Sequence, residues 1–248
     1  EEAFVAEMNR MAAKLGLVHS HFANATGLPD PNHVMTARDL ATLAEHLITD
    51  FPEDYHYFSE REYTYNHITQ GNRNRLLGGT IGVDGLKTGH TDAGGYGITL
   101  SAKQGDRRLI LVINGMESDN ERVEEGDKLL RWGFREFENR TLVHKGQKIA
   151  DADVWFGRQP QVSLVADSDV VMTLPTNAEG EVKFTLKYID PLPAPVAKGA
   201  HVADLVITPE GGDARTVPLV AGEGVEKLSG MKRLLATLNY YISHRQQP

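Results

Sequence analysis

The sequence predicts an α+β domain over residues 1–139, a small all-β domain over 140–222 and a C-terminal amphipathic helix over 223–248. Three observations lead to this division. In the first part, strand-like and helical segments follow each other without strict alternation, which favours an antiparallel sheet with helices beside it. Around Asn139 the helical periodicity stops, and short β-type runs separated by Gly and Pro begin. From Val225 onward, apolar residues again recur every three or four positions.

Composition excludes several functions. The 248 residues are 40% hydrophobic and 24% charged, which is ordinary for a globular protein. The net charge of −8 argues against a nucleic-acid partner, because phosphate binding needs clustered Lys and Arg. The absence of cysteine excludes thiolate zinc sites, thiol nucleophiles and disulfides. No window of the sequence is apolar for long enough to span a membrane.

Two helices and a loop are predicted at the start of the chain. Apolar residues at helical spacing predict a helix over 2–15 that ends at Gly16. The loop over 19–34 is rich in Pro, Gly and Asn, and we interpret its histidines as surface residues because their spacing matches no metal-ligand pattern. Thr36 is the predicted N-cap of the second helix, with Asp39 in the position of a capping-box acid.

Strands and a long helix follow. The aromatic-rich stretch Tyr55 to Tyr65 contains one predicted strand; it could form a platform for stacking bases, but its acidic surroundings favour core packing. Residues 97–103 and 107–114 are predicted strands joined by a Gly-Asp hairpin turn. A helix is predicted over 119–138, with its apolar residues buried.

The chain after residue 139 offers fewer chemical signals. Its short β runs predict a sandwich or barrel, and we find no catalytic constellation in them. The terminal helix over 223–248 is basic and amphipathic, and two interpretations remain open: it packs against protein, or it lies in a membrane interface.

The stretch Val83 to Thr91 is the most chemically specific part of the sequence. It reads Val-Asp-Gly-Leu-Lys-Thr-Gly-His-Thr, with Asn-Arg-Asn-Arg at 72–75 before it and Ala-Gly-Gly-Tyr at 93–96 after it. Lys-Thr-Gly is one of three elements of the penicillin-recognising serine enzymes. In this order and spacing the chain resembles the low-molecular-mass penicillin-binding proteins, the serine D-alanyl-D-alanine carboxypeptidases of the bacterial cell wall.

The resemblance implies a fold, a reaction and a location. Residues 1–139 would be the C-terminal part of a penicillin-binding/β-lactamase-like transpeptidase domain. The enzyme would transfer the acyl group of a peptidoglycan stem peptide ending in D-Ala-D-Ala to a serine and then hydrolyse the acyl-enzyme, and β-lactam antibiotics would acylate the same serine. No metal or cofactor is implied. The expected location is the bacterial periplasm, peripheral to the inner membrane through the terminal helix.

The resemblance also assigns site residues. Thr88 and Arg73 are the expected clamps for the substrate carboxylate, beside Lys87 and Gly89. The backbone N–H of His90 would donate into the oxyanion hole; its side chain could be taken for a general base, but the family uses a lysine, so we interpret it as a rim residue. Arg122 is a further substrate-binding candidate, with an exposed helix charge as the alternative.

One departure from the family pattern concerns the nucleophile. The family's Ser-x-x-Lys and Ser-x-Asn elements precede Lys-Thr-Gly, and neither occurs upstream of Lys87. We therefore expect this chain to be the C-terminal part of a longer enzyme, inactive alone; the alternative is a non-catalytic wall-binding or scaffolding fragment. Matching strings at Ser229 to Lys232 and Ser118 to Asn120 stand in the wrong order, and Ser118 is better explained as a helix cap.

Overall fold

The computed structural model describes residues 1–177, 182–210 and 212–230. The chain divides into two compact units, Glu1–Glu136 and Phe137–Pro248. The first unit combines helices and strands and the second is built from strands, so the predicted fold class is confirmed for both. Most of the predicted terminal helix, residues 231–248, lies outside the described residues, and the division drawn from the sequence at 139 and 222 stays a prediction. No described helix is long and apolar enough to cross a bilayer.

The first unit contains three helices, a 3-10 turn and five strands within the described residues. The helical elements are α1 Glu2–Lys14, α2 Ala37–Asp50, the 3-10 turn Tyr55–Ser59 and α3 Asp119–Glu136. The strands are β1 Glu62–Tyr65, β2 Ile68–Gly71, β3 Val83–Thr91, β4 Gly95–Gln104 and β5 Arg107–Met116. Strands β3, β4 and β5 form an antiparallel sheet in that order, and β1 and β2 form a separate hairpin.

The N-terminal helices begin and end close to the predicted residues. The hydroxyl of Thr36 accepts a hydrogen bond from the N–H of Asp39, so its predicted role as the N-cap of α2 is confirmed. Asp39 is 4% exposed, and its carboxylate accepts hydrogen bonds from the N–H of His19 and the hydroxyl of Ser20. Because these donors belong to the preceding loop, Asp39 fastens that loop to the start of α2.

Helix α1 departs from the burial expected of its apolar stripe. Of its residues only Ala12 is buried, whereas Phe4 is 61% and Met11 43% exposed. Helix α3 ends at Glu136, two residues earlier than predicted, because Phe137 already begins the next strand, where it pairs with Pro175. Strand pairing therefore overrides the helical pattern at this end of α3.

The core of the first unit lies between the β3–β5 sheet and the helices. Leu130 of α3 is 1% exposed and packs with sheet residues that include Leu100 and Ile98. Ala44 of α2 packs in a second cluster with Tyr55 and Leu86. Burial of apolar area stabilises a fold by roughly 25 cal/mol per Å², so these contacts hold the helices against the sheet.

The aromatic stretch is only partly in the core. Tyr55 is buried, but Tyr57, Tyr63 and Tyr65 are 61%, 64% and 74% exposed, so the expected core packing is wrong for these three. The positions of two of them explain their exposure: Tyr63 and Tyr65 lie on β1, whose hairpin with β2 is exposed along all of its residues. The partner strand β2 was not predicted, because its sequence Ile-Thr-Gln-Gly has little apolar alternation.

The second unit is an all-β structure with its own core. Its strands are β6 Phe137–Val143, β7 Lys148–Trp155, β8 Gln161–Ala166, β9 Val170–Pro175, β10 Lys183–Tyr188, β11 Leu192–Pro193, β12 His201–Thr208 and β13 Arg215–Ala221. Six of them form a sheet in the order β10-β12-β13-β8-β7-β11, and β6 pairs with β9. Alternate residues of the long strands, such as Leu205 and Ile207, point into one apolar cluster. The predicted all-β domain is thereby confirmed.

Candidate active-site groove

Strand β3 carries the Lys-Thr-Gly triplet along one side of a groove. It pairs with β4 so that Thr88 is opposite Ile98, Gly89 opposite Gly97 and His90 opposite Tyr96. Burial alternates along the strand: Leu86 and Thr88 are buried, whereas Lys87 and Gly89 are exposed. This two-residue period follows from strand geometry, and it places the lysine on the opposite side of the strand from the threonine.

The groove has a volume of about 940 Å³, and all the site residues expected from the sequence line it. These are Arg73, Lys87, Thr88, Gly89, His90 and Arg122. The remaining lining residues are Thr26, Gly27, Gly71, Asn72, Arg75, Thr91, Tyr96 and Asp119. The structure thus brings together residues from the loop after α1, the segment before β3, strands β3 and β4, and helix α3. Their individual roles stay predictions.

Charge in the groove is mainly positive. Its lining includes three arginines and Lys87, against the single acid Asp119. Arg75 donates to the Asp119 carboxylate across 3.0 Å and to the side-chain oxygen of Asn120 across 2.8 Å. The hydrogen bond from Arg75 holds the pKa of Asp119 below its usual value, with Arg122 adding to the effect. Asp119 therefore stays charged at neutral pH and leaves the groove with an excess of cations.

Arg122 of α3 is buried, with 5% of its surface exposed. One guanidinium nitrogen donates to the carbonyl oxygens of Gly89 and Gly97 across 3.1 and 3.4 Å, and the other donates to Asp119. The guanidinium carbon also lies 5.4 Å from the ring centre of Tyr96. The alternative of an exposed helix charge is therefore wrong: Arg122 joins α3 to the two strands that form the wall of the groove.

Two further side chains face solvent near this wall. The amine of Lys87 donates to the carbonyl oxygen of Thr88. The ring of His90 packs against that of Tyr96 in a tilted arrangement, with 4.0 Å between the ring centres and 35° between their planes. The exposure of His90 agrees with its interpretation as a rim residue. Tyr96 was not among the predicted site residues; the pairing of β3 with β4, which the sequence analysis did not predict, places it opposite His90.

The segment before β3 is tied to that strand by a buried amide. Asn74 is 3% exposed, and its side-chain nitrogen donates to the carbonyl oxygen of Gly85 across 3.2 Å. The N–H of Asn74 donates in turn to the side-chain oxygen of Asn72 across 2.9 Å. These bonds fix the backbone on both sides of Arg73, and so place its side chain at the groove.

A polar cluster supports β3 from the side of β5. The carboxylate of Asp84 accepts hydrogen bonds from the hydroxyl of Tyr55 across 3.0 Å and from Arg108 across 2.7 Å, and Arg108 also donates to the hydroxyl of Ser101. Burial is the main cause that raises the pKa of Tyr55 to about 12, and the bond to Asp84 raises the pKa of Arg108. One feature of the sequence indicates this cluster: Asp84 stands between the apolar residues of a strand.

The Ser-Asp-Asn string at Ser118 and the Ser-x-x-Lys string at Ser229 do not form a second site within the described residues. The hydroxyl of Ser118 accepts a hydrogen bond from the N–H of Glu121 across 3.1 Å, which confirms its role as a cap of α3. Ser229 is described, but its partner Lys232 lies beyond the described residues. Within residues 1–177, 182–210 and 212–230, no group of three or more His, Asp or Glu is arranged to hold a metal ion.

Comparisons with known proteins agree with this geometry. Residues 1–118 match the family model of the D-alanyl-D-alanine carboxypeptidases, peptidase family S11, and residues 137–227 match that of the C-terminal domain of penicillin-binding protein 5. The D-alanyl-D-alanine carboxypeptidase DacC of Escherichia coli is 40% identical over 229 residues, which are 92% of this chain and 57% of the relative. DacD of the same organism is 37% identical over 99% of this chain and 63% of the relative. The chain thus spans about three fifths of these curated relatives.

Solved structures give the same result. Penicillin-binding protein 5 from Haemophilus influenzae superposes with a TM-score of 0.78 at 38% identity, over 90% of this chain and 66% of that one. Penicillin-binding protein D2 from Listeria monocytogenes, in its cefotaxime-bound form, superposes with a TM-score of 0.50 at 35% identity, over 53% and 55% of the two chains. Since the two family models together match most of the sequence, the chain belongs to the D-alanyl-D-alanine carboxypeptidase family of low-molecular-mass penicillin-binding proteins.

Proposed function

We propose that the protein containing this chain is a serine D-alanyl-D-alanine carboxypeptidase that removes the terminal D-alanine from peptidoglycan stem peptides. The observation that carries this proposal is the groove that Arg73, Lys87, Thr88 and Arg122 line together. A peptide that ends in a free carboxylate needs fixed cationic and hydroxyl donors to hold its scissile bond in place. β-Lactams such as penicillin also carry a carboxylate, so the same donors would hold them.

Each groove residue has a proposed role. The hydroxyl of Thr88 and the guanidinium of Arg73 hold the substrate carboxylate, and Lys87 supplies positive potential. The backbone N–H of His90 donates to the oxyanion that forms on the scissile carbonyl, a type of interaction whose loss typically costs about 10²–10³ in rate. Arg122 contributes charge, and its bonds to the Gly89 and Gly97 carbonyls hold the strand in position.

The reaction also needs a serine nucleophile and a lysine base, which we assign to residues outside these 248. The serine oxygen bonds to the carbonyl carbon of the penultimate D-alanine, the amide bond breaks, and the leaving nitrogen takes a proton as D-alanine departs. Water then cleaves the acyl ester and regenerates the serine. The lysine base must be desolvated to remain neutral.

The proposed location is the bacterial periplasm, at the surface of the inner membrane. The segment 223–248 carries a stripe of apolar residues beside several Lys and Arg, and each cation near an anionic surface contributes about 1 kcal/mol. We expect weak binding of the protein to anionic lipid vesicles that is lost when this segment is deleted. Vesicle binding that survives the deletion would favour packing of the segment against protein.

The test of the activity compares the full-length protein with the 248-residue chain. The full-length protein should release D-alanine from a pentapeptide ending in D-Ala-D-Ala and form a covalent adduct with fluorescent penicillin, and the shorter chain should do neither. A folded full-length protein that does neither would contradict the proposal and favour the non-catalytic scaffold. Labelling of Ser118 or Ser229 in the shorter chain would show that the nucleophile lies within these 248 residues and would contradict its assignment to a residue outside them.

A further inference from the structure

A second depression adjoins the candidate groove. It lies between the 3-10 turn Tyr55–Ser59 and the β1–β2 hairpin and has a volume of about 400 Å³, within the range of small-ligand sites. Its lining residues are Tyr57, Glu60, Glu62, Tyr63, Tyr65, Ile68, Gln70, Gly71 and Asn72. Gly71 and Asn72 also line the groove, so the two spaces are adjacent.

The hairpin presents one apolar face with a defined order. Tyr65 is paired with Ile68 and Tyr63 with Gln70, and directly opposed residues of an antiparallel pair share a face. The other face carries Thr64, whose hydroxyl is 2.8 Å from that of its partner Thr69. Tyrosines therefore concentrate on one side of the ribbon, where they are more than three fifths exposed. Exposed aromatic groups clustered in this way mark a binding surface more often than scattered apolar residues do.

The polar groups of the depression restrict what it would bind. Among its described lining residues the acidic ones are Glu60 and Glu62, and those with side-chain amides are Gln70 and Asn72. Glu62 shares the Thr64 face of the ribbon, whereas Gln70 shares the face of the tyrosines. The side-chain nitrogen of Asn72 donates to the carbonyl oxygen of Glu60 across 2.9 Å, which holds this amide in place. Two carboxylates without a lining Lys or Arg disfavour phosphates, nucleic acids and anionic lipid surfaces.

We propose that this depression, which we call the tyrosine depression, binds a neutral saccharide: the amino-sugar backbone to which a stem peptide is attached. Tyrosine rings offer flat apolar surface with a polar hydroxyl at the edge, which suits the C–H face of a pyranose ring. Planar carboxylate and amide groups accept and donate hydrogen bonds to neighbouring sugar hydroxyls. The choice of a saccharide attached to a peptide rests on the proposed function, because the peptide end would lie in the adjoining groove.

The first experiment measures saccharide binding alone and does not depend on catalysis. The probe is a peptide-free oligomer of N-acetylglucosamine, and its binding to the 248-residue chain is followed by saturation-transfer NMR and calorimetry. Tyr65→Ala should weaken binding about tenfold, which corresponds to about 1.4 kcal/mol, whereas Tyr65→Phe retains the ring and should stay within about twofold. Phe51→Ala is the matched control, since Phe51 is also more than half exposed but does not line the depression.

Two outcomes of this experiment would overturn the proposal: the oligomer does not bind the wild-type chain, or Tyr65→Ala and Phe51→Ala bind it equally well. Thermal unfolding of each variant shows whether it has folded, and Tyr65 is 74% exposed, so little stability should be lost. Binding by the 248-residue chain but not by the full-length protein would mean that another part of the protein covers the depression, and this too would count against the site.

The second experiment uses the full-length enzyme and separates the saccharide from the peptide. D-Alanine release is measured from a pentapeptide and from the same pentapeptide attached to its disaccharide. Tyr65→Ala should raise KM for the saccharide-bearing substrate and leave both kcat and the free pentapeptide unchanged. An equal rise of KM for both substrates would show that the depression holds peptide. Absence of turnover on both substrates would refute the proposed function while leaving the binding result of the first experiment intact.

Discussion

The guanidinium of Arg122 donates a hydrogen bond to the carbonyl oxygen of Gly89 across 3.1 Å, between residues 33 positions apart in the sequence. This bond joins helix α3 to the last residue of the Lys-Thr-Gly triplet. A second bond, to the Gly97 carbonyl, reaches the strand paired with it. Arg122 is therefore a structural part of the groove wall as well as a source of its charge.

Replacing Arg122 with alanine should lower the free energy of unfolding of the chain. Hydrogen bonds that involve a charged group contribute about 1.5–3 kcal/mol each, and the carbonyl oxygens of Gly89 and Gly97 would lose a donor. Arg131, on the same helix, is the matched control: it is exposed and paired with Asp127 across 2.7 Å, and Arg131→Ala should cost no more than about 1 kcal/mol. Urea unfolding of both variants measures the difference; equal losses would mean that Arg122 does not support the wall.

The stability of the chain in acid should depend on Asp39. The hydrogen bond from Ser20 is the largest cause that lowers the pKa of Asp39 from its ordinary 3.8. A carboxyl group whose pKa is lowered by folding stabilises the folded state above its unfolded pKa, and this stabilisation is lost as the pH falls through the folded pKa. Ser20→Ala should therefore be less stable than the wild type at neutral pH, with the difference shrinking below a pH of about 4.

Unfolding free energies measured across this pH range test the assignment. Ser59→Ala serves as control, because the hydroxyl of Ser59 donates to the carbonyl oxygen of His56, a group that does not titrate. Its effect on stability should be independent of pH. If the effect of Ser20→Ala is equally flat between neutral pH and the acid range, the bond from Ser20 to Asp39 does not link stability to pH.

Substitutions of Thr88 and of Lys87 should affect acylation of the full-length enzyme in different ways. Thr88→Val keeps the shape of the side chain and removes the hydroxyl, so it should slow acylation by peptides with a free carboxylate about ten- to a hundredfold and spare a substrate whose terminal carboxylate is esterified. Lys87→Ala removes positive potential from the whole groove and should slow both substrates. If Thr88→Val lowers the acylation rate equally for the two substrates, Thr88 does not hold the carboxylate, and that role would be assigned to Arg73.

Local patterns in the sequence predicted those parts of the fold that depend on neighbouring residues. The cap at Thr36, the β4–β5 hairpin with Gly105 and Asp106 in its turn, and the cap at Ser118 all follow from side chains that act within a few positions. The site residues were predicted from the family resemblance and not from periodicity, and the structure places all of them along one groove.

Long-range contacts were harder to predict. The Asp84 carboxylate meets Tyr55 and Arg108 from positions 29 and 24 residues away, and nothing in a local pattern indicates such partners. The exposure of Tyr63 and Tyr65 was missed for a related reason: a two-stranded ribbon leaves both faces open unless another element packs on it, and aromatic content alone does not show which case holds.

Alanine substitutions at two glycines of strand β3 distinguish an effect on stability from an effect on function. A Cβ added at Gly85 would lie 2.5 Å from the Tyr55 hydroxyl oxygen and 3.2 Å from its ring carbon, and Tyr55 is held in place by Asp84. Gly85→Ala should therefore destabilise the chain by about 1–3 kcal/mol through overpacking. A Cβ at Gly89 would meet nothing within 4 Å, so Gly89→Ala should change stability by no more than about 0.5 kcal/mol.

The variant that has little effect on stability, Gly89→Ala, should have a large effect on the acylation rate. The open space beside Gly89 is where we place the substrate backbone, and a methyl group there would displace the scissile bond, so acylation of the full-length enzyme by penicillin should slow by about a hundredfold. Denaturation curves and acylation rates of both variants decide the matter. A Gly89→Ala enzyme that is stable and acylates at the wild-type rate would show that the substrate does not run beside this residue, and the proposed roles of Thr88 and the His90 N–H would lose their geometric basis.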